Sequence, residues 1–161
     1  MRRLTGEEQA FLVRYFGGAL DLEPIRLSTS IGARSWSPYG ARISLVKGLY
    51  RERTLEAGVA LDDPRAASVF AHEAIHVWQR QRGRAVTRPG AWLQTLYFLG
   101  IRDPYAYVPR LDARCLLSEF VLGNVEQQGK IFQDYVFAER TGQASERFSR
   151  IAAWVRLSAS K

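Results

Sequence analysis

Two histidines four residues apart, with a glutamate after the first, impose the strongest constraint on this chain. They form the sequence His72-Glu73-Ala74-Ile75-His76, and the 161 residues contain no other histidine. In an α-helix, residues four apart lie on the same face, so both imidazoles can reach one metal ion. A carboxylate next to the first histidine can hold a metal-bound water and accept its proton. The motif therefore predicts a helix with two Zn²⁺ ligands and Glu73 as general base; the alternative is a helix with two partly exposed histidines.

The residues around this motif predict one continuous helix. Asp62-Asp63-Pro64 is typical of a helix start, because a carboxylate caps the first turn and proline fits its first position. We expect the helix to run to about Arg82 and to end at Gly83. Apolar residues recur along it at helical spacing and predict a buried face. They are Ala67, Phe70, Ala71, Ala74 and Trp78.

The N-terminal third predicts one helix and a small sheet. Thr5 and Glu8 have the spacing of a capping box, which indicates a short amphipathic helix ahead of the glycine pair at 17–18. Apolar and polar residues then alternate over 25–29, which indicates a strand with one buried face. Ile43 and Leu45 indicate a second strand or a hairpin.

The C-terminal half predicts further helices. Residues 92–99 are rich in apolar side chains and indicate a buried helix that ends at Gly100. Asn124 is a suitable N-cap for a helix from Val125 to about Arg140. A last amphipathic helix is expected over 144–157, with 158–161 as a frayed tail.

The order of these elements predicts an α+β fold. We expect a compact, zincin-like domain, mostly helical, with a small N-terminal β-hairpin or sheet and an active-site helix that carries the H-E-x-x-H motif. The chain contains no internal repeat, low-complexity segment or linker. Residues 1–161 therefore form a single predicted domain.

Composition narrows the compartment and the class of partner. The one cysteine, Cys115, excludes an internal disulfide, and its apolar neighbours predict a core position. The charged N-terminus does not have the apolar core of a signal peptide, and no apolar run is long enough to span a bilayer. We therefore expect synthesis in the cytoplasm, and export by a route that needs no cleavable signal stays open. The formal net charge of +7 favours anionic partners. The arginines are not interleaved with stacking aromatics, so no specific nucleic-acid binding is expected.

A catalytic zinc site commonly has three protein ligands, so the motif needs a third from elsewhere in the chain. Without another histidine, this ligand should be an acid from a later helix. Glu126 is favoured, because it lies in the first turn of a helix whose Gly129 would allow close approach to the motif helix. Glu119 is the main rival, since it is an acid within an apolar run, and Asp134 is a candidate for orienting a ligand histidine. The other candidate acids are Asp103, Asp112, Glu139 and Glu146.

Two sequence blocks carry a family resemblance. They are FAHEAIHVWQRQRG at 70–83 and NVEQQGKIFQDY at 124–135, together with Leu4-Thr5 at the first helix. The chain resembles a bacterial group of vgr-related proteins, which are similar to metallopeptidase-type domains found beside Rhs and VgrG elements of type VI secretion. The resemblance extends to about Arg140. Two departures are Ala74-Ile75, where the group often has Met-Thr or Leu-Thr, and Gly129, which replaces an alanine.

The resemblance implies a set of site residues. His72, His76 and Glu126 would be the zinc ligands, and Glu73 would be the general base. Tyr105 or Tyr107 would occupy a tyrosine-bearing loop and could hydrogen-bond the oxyanion formed at the scissile carbonyl. These tyrosines have an alternative role as buried aromatics beside a proline turn. Neither departure from the group's pattern removes a ligand.

Together these observations predict a zinc-dependent, gluzincin-like metallopeptidase associated with type VI secretion. Its cofactor would be Zn²⁺, its substrate a peptide or protein (a cell-wall peptide among the options), and its partners type VI components. One alternative is a non-catalytic adaptor or chaperone of a secretion system with a structural metal, which a fourth protein ligand would favour. A second alternative is a basic toxin or nucleic-acid binder with an incidental metal, which salt-dependent binding would favour.

Overall fold

Two long helices pack side by side at the centre of the fold. The computed structural model describes residues 1–101, 103–108, 112–143 and 146–158. Helix α2 spans Pro64–Gln81 and carries the two histidines, and helix α5 spans Val125–Arg140. The Asp63 side chain caps α2 by accepting a hydrogen bond from the Arg65 amide, and Asn124 caps α5 in the same way. These helices and their starts were predicted from the sequence and are confirmed.

A small sheet lies ahead of the central helices. Strands β1 (Arg2–Arg3), β2 (Arg26–Thr29) and β3 (Arg42–Leu45) occur in that spatial order. β1 pairs antiparallel with β2, whereas β2 pairs parallel with β3. The two predicted strands are confirmed, and of the two arrangements left open, a hairpin or a sheet, the structure has the sheet. Residues 30–41 instead carry the chain back to the start of β3, and Trp36 within them pairs antiparallel with Ser44.

Among the residues that the structure describes, four further α-helices surround this centre. They are α1 (Gly6–Phe16), α3 (Thr87–Phe98), α4 (Ala113–Leu122) and α6 (Ser149–Leu157). The capping box of α1 is confirmed, since the Thr5 side chain accepts from the Glu8 amide and Glu8 accepts from the Thr5 amide. α6 begins later than predicted, after a short 3₁₀ turn at Glu146–Phe148. Residues 144–145, where that helix was expected to begin, and 159–161 of the expected tail lie outside the described residues.

Two burial predictions are wrong. α3 buries only Gly90 of its own residues, while Trp92 and Phe98 are 64% and 69% exposed. This helix turns its small residue towards Glu126 at the start of α5, while Leu93 and Leu96 are only half-buried. Cys115 is exposed, because α4 buries Leu116 and Phe120, which lie four residues apart on the adjacent face. Helix α4 itself was not predicted, although Asp112 caps it.

The hydrophobic core joins the sheet to the helices. Its largest fully buried members include Phe16 of α1, Ile43 of β3, Phe70 of α2 and Phe132 of α5. Within the described ranges, no helix combines the length and apolarity needed to cross a membrane.

Candidate metal centre

Three side chains from the two central helices meet at one point. The Nε2 atoms of His72 and His76 on α2 each lie 3.6 Å from Oε2 of Glu126 on α5. One donor atom from each residue falls within 4.8 Å of the others, and all three residues are buried. Two ligands of a tetrahedral zinc ion, each about 2.0–2.1 Å from it, are separated by about 3.3 Å. The donor set and its spacing therefore fit a zinc ion.

Two glycines make room for these donors. A Cβ atom built on Gly129 of α5 would lie 2.7 Å from Cε1 and 2.9 Å from Nε2 of His72. A Cβ atom on Gly90 of α3 would lie 3.1 Å from Oε1 of Glu126. Glycine in a helix interior is unfavourable by roughly 1 kcal/mol relative to alanine. At Gly129 this penalty accompanies the close approach of the two helices that the sequence predicted. The role of Gly90 was not predicted, and its only sequence signal is its place next to the apolar stretch 92–99.

Glu73 lies beside the three donors and is itself buried. Its Oε2 atom makes no hydrogen bond to any described residue. Burial raises the pKa of Glu73, and the charge of Glu126 acts in the same direction. For Glu126 burial alone would also raise the pKa, but His72 and His76 lower it well below its ordinary value. Glu126 is therefore the ionised carboxylate of the pair, whereas Glu73 is the one suited to exchange a proton.

The donors line the floor of a cavity of about 280 Å³. Its walls come from α3 and from the segment Arg34 to Pro38, which leads into β3. Arg80 of α2 holds this segment, donating from Nε to the Gly40 carbonyl at 2.6 Å and from Nη1 to the Ser37 carbonyl at 3.0 Å. The same helix that carries the histidines thus fixes the opposite wall.

The two candidate tyrosines occupy different places. Tyr105 lines the cavity, with its ring centroid 6.2 Å from that of His72, and its hydroxyl accepts a hydrogen bond from Nε2 of Gln94. Burial raises the pKa of Tyr105 to about 12, so the hydroxyl stays protonated at neutral pH. Tyr107 instead donates from its hydroxyl to Oδ2 of Asp134 at 2.6 Å and does not line the cavity. Of the two, the structure brings only Tyr105 to the site.

The rival acids lie elsewhere among the described residues. Glu119 accepts from Nε2 of Gln127 at 3.1 Å and from the Val108 amide at 3.2 Å. Asp134 pairs with Lys130 at 2.5 Å, so it does not orient a ligand histidine. The other candidates are occupied in caps, turns and ion pairs or lie apart from the cluster: Asp103, Asp112, Glu139 and Glu146.

Sequence reasoning missed a glutamine that supports one of the histidines. Gln79 is fully buried on α2, and its Oε1 lies 2.9 Å from Nδ1 of His76. A polar residue three positions after a ligand, within an otherwise apolar helix face, is the signal that could have found it.

Comparison with known proteins links the chain to type VI secretion. No protein-family model matches it. The chain is 41% identical over 88 residues, 53% of its length, to the type VI secretion system spike protein VgrG2b of Pseudomonas aeruginosa, and the match spans only 8% of that protein. Its fold is similar to the solved effector domain of Pseudomonas aeruginosa VgrG2b, with a TM-score of 0.66 and 28% identity over 94% of this chain and 82% of that one. The chain is thus related to a VgrG effector domain and shares its fold.

Proposed function

We propose that this chain is a zinc-dependent peptidase in which Glu73 moves the protons. The observation that carries this proposal is the buried cluster of His72, His76 and Glu126. Beside it lies a carboxylate oxygen of Glu73 that has no hydrogen-bond partner in the described part of the chain. When bound there, zinc would polarise a carbonyl and make water a nucleophile near neutral pH. Among the described residues the cluster holds three protein donors, which leaves a tetrahedral ion one open position and favours catalysis over a structural role.

Glu73 acts as the proton carrier in this scheme. Its carboxylate accepts a proton from the water that attacks the amide carbon, and then donates that proton to the leaving amine. Since its Oε2 atom makes no hydrogen bond to any residue that the structure describes, none of those residues has to release it before the proton arrives. Because Glu73 is buried, bulk water does not compete with the attacking water for its carboxylate.

Tyr105 stabilises the negative charge on the former carbonyl oxygen. Its hydroxyl faces the cavity, and Gln94 holds it by donating to the oxygen, which leaves the hydroxyl proton free to point at the substrate. Its raised pKa, about 12, keeps that proton in place over the working range of pH. A fixed neutral hydrogen-bond donor stabilises the transition state most when it points at the atom on which negative charge develops.

The wall beside the metal centre suits an extended peptide. Trp36 pairs with Ser44 of β3 through both backbone hydrogen bonds, at 2.9 Å each. Because backbone groups alternate along an extended segment, those of Ser35 point away from β3, and Ser35 lines the cavity. A substrate strand could pair there while its scissile bond lies over the donors. We infer a protein or cell-wall peptide as substrate, and delivery by type VI components.

The first experiment compares wild type with Glu73→Gln for zinc content and for hydrolysis of a mixed peptide library. The matched control is Glu119→Gln, which removes a carboxylate outside the cluster. We expect about one zinc per chain in all three proteins and hydrolysis in every protein except Glu73→Gln. Hydrolysis retained by Glu73→Gln refutes the role of Glu73. Zinc bound by the wild type, with no cleavage of peptides or of peptidoglycan fragments, would favour the adaptor alternative.

A further inference from the structure

A chain of buried side-chain amides connects His76 to the surface. Oε1 of Gln79 contacts Nδ1 of His76, and Nε2 of Gln79 donates to Oε1 of Gln128 at 2.7 Å. Gln128, on α5, donates from its own Nε2 to the Phe120 carbonyl at 2.6 Å. Arg84, just beyond α2, donates from Nη1 to the same Gln128 oxygen at 2.7 Å. Both glutamines are at least 99% buried.

The chemistry of its outer end fixes the direction of every hydrogen bond in this chain. A guanidinium only donates, so the group of Gln128 that faces Arg84 must be its oxygen. That oxygen also faces Gln79, so Gln79 must present its NH₂ group there and its own oxygen to His76. An amide oxygen only accepts, so Nδ1 of His76 must carry the proton. The Nε2 lone pair is then free, and Nε2 is the atom near Glu126.

The second anchor at each amide supports the same orientation. Nε2 of Gln79 also donates to the Val125 carbonyl at 3.2 Å, and Nε2 of Gln128 donates to the Phe120 carbonyl at 2.6 Å. Rotating either amide by half a turn would set NH₂ groups against donors and oxygens against carbonyls. In a buried site each such mismatch leaves a donor or an acceptor unsatisfied, so one orientation dominates.

We propose that Arg84, Gln128 and Gln79 are positioning residues that hold His76 in the one tautomer able to bind metal through Nε2. This inference rests on the metal site of the proposed function, but not on hydrolysis. His72 has no such support, since its buried Nδ1 makes no hydrogen bond to a described residue. The steric fit at Gly129 holds that ring instead. The two ligands on one helix are therefore positioned in different ways.

The first test reads the tautomer directly and needs no metal. The chain has two histidines, so ¹⁵N NMR of the metal-free, histidine-labelled protein gives two ring systems to assign. At a pH where both imidazoles are neutral, we expect His76 to carry its proton on Nδ1 in the wild type. In Gln79→Leu we expect the proton to shift largely to Nε2, the tautomer preferred in water. A wild-type His76 protonated on Nε2 overturns the proposal, whether or not the protein binds zinc.

The second test is a double-mutant cycle on zinc affinity, measured by competition with a chelator. We expect Gln79→Leu to weaken zinc binding about 10- to 100-fold, the usual effect of losing the partner of a ligand histidine. Arg84→Met should weaken it several-fold, and should add nothing in the Gln79→Leu background, because the two residues act in series.

The sign of the Arg84→Met effect on zinc affinity distinguishes positioning of His76 through the two glutamines from a direct electrostatic effect of Arg84 on the zinc ion. Removing a positive charge favours a bound cation, so a merely electrostatic Arg84 would give tighter zinc binding when replaced. Arg88→Met, which removes an exposed positive charge from nearby α3, is the matched control. Equal effects of Arg84→Met and Arg88→Met, or additive effects in the cycle, overturn the proposal. Arg84 is at the surface, so this arm remains informative even if Gln79→Leu does not fold.

Discussion

Replacing Gly129 with alanine tests whether the spacing of the central helices is set by the metal centre. The new methyl carbon would lie 2.7 Å from Cε1 of His72, about 0.7 Å closer than the 3.4 Å at which ordinary contacts begin. If the His72 ring moves by that distance, it leaves the window of about 0.2 Å that metal–ligand bonds tolerate. If α5 moves instead, Glu126 moves with it. In either case we expect zinc to bind about 10- to 100-fold more weakly, or about 1.4–2.8 kcal/mol.

The stability of the metal-free Gly129→Ala protein should fall by at most about 2 kcal/mol, which is the balance of two opposing effects. Overpacking a core costs about 1–3 kcal/mol, while alanine regains up to about 1 kcal/mol of helix propensity. Gly6→Ala is the control, because a Cβ on Gly6 in α1 meets nothing within 4 Å. Chelator competition measures the affinity, and urea unfolding measures the stability. Zinc binding by Gly129→Ala as tight as that of wild type and of Gly6→Ala would refute the argument.

Two further predictions follow from hydroxyl and carboxylate contacts. Tyr105→Phe should still bind zinc but should lower kcat on a cleaved peptide about 100-fold, because loss of one oxyanion donor has an effect of this size. Tyr107→Phe is the control and should leave kcat unchanged. Equal effects of the two variants on kcat would contradict the role given to Tyr105. Glu8→Gln should reduce the free energy of unfolding by about 3 kcal/mol at neutral pH, because it breaks a buried ion pair with Arg2. Burial raises the pKa of Glu8, but Arg2 and two backbone amides lower it by a larger amount, so the pKa lies below its ordinary value. The stability that Glu8 contributes is therefore present above its unfolded-state pKa and is lost as the pH falls through its folded-state pKa. In urea unfolding, the free energies of unfolding of the wild type and of Glu8→Gln should therefore converge in acid. A difference that stays constant with pH would contradict this.

The helices of the site were predictable from the sequence because their signals are local. Asp63 before Pro64, and Asn124 before Val125, mark helix starts through contacts that span a few residues. The i,i+4 spacing of the two histidines likewise fixes one face of one helix. The candidate third donor could be ranked because Gly129 lies one turn beyond Glu126, and the close approach it allows is what the structure has.

The direction of strand pairing could not be predicted, because alternation reports which face of a strand is buried and not which way its neighbour runs. Leu27 and Ile43 are both fully buried and adjacent in register, as they would also be in a hairpin. Tyr105 and Tyr107 stayed open as alternatives for a related reason. Tyr105 and Tyr107 lie two residues apart in an irregular segment, and only the contacts with Gln94 and Asp134 separate their roles.

The exposed face of α3 shows how the site itself can override an apolar pattern. The helix has an apolar sequence, yet the residue it turns inward is Gly90, whose missing side chain leaves room for Glu126. A Cβ atom at this position would lie 3.1 Å from Oε1 of that carboxylate. Hydrophobic periodicity assumes that a helix presents its most apolar face to the core. Here the helix presents its smallest residue to Glu126, and Trp92 and Phe98 remain exposed.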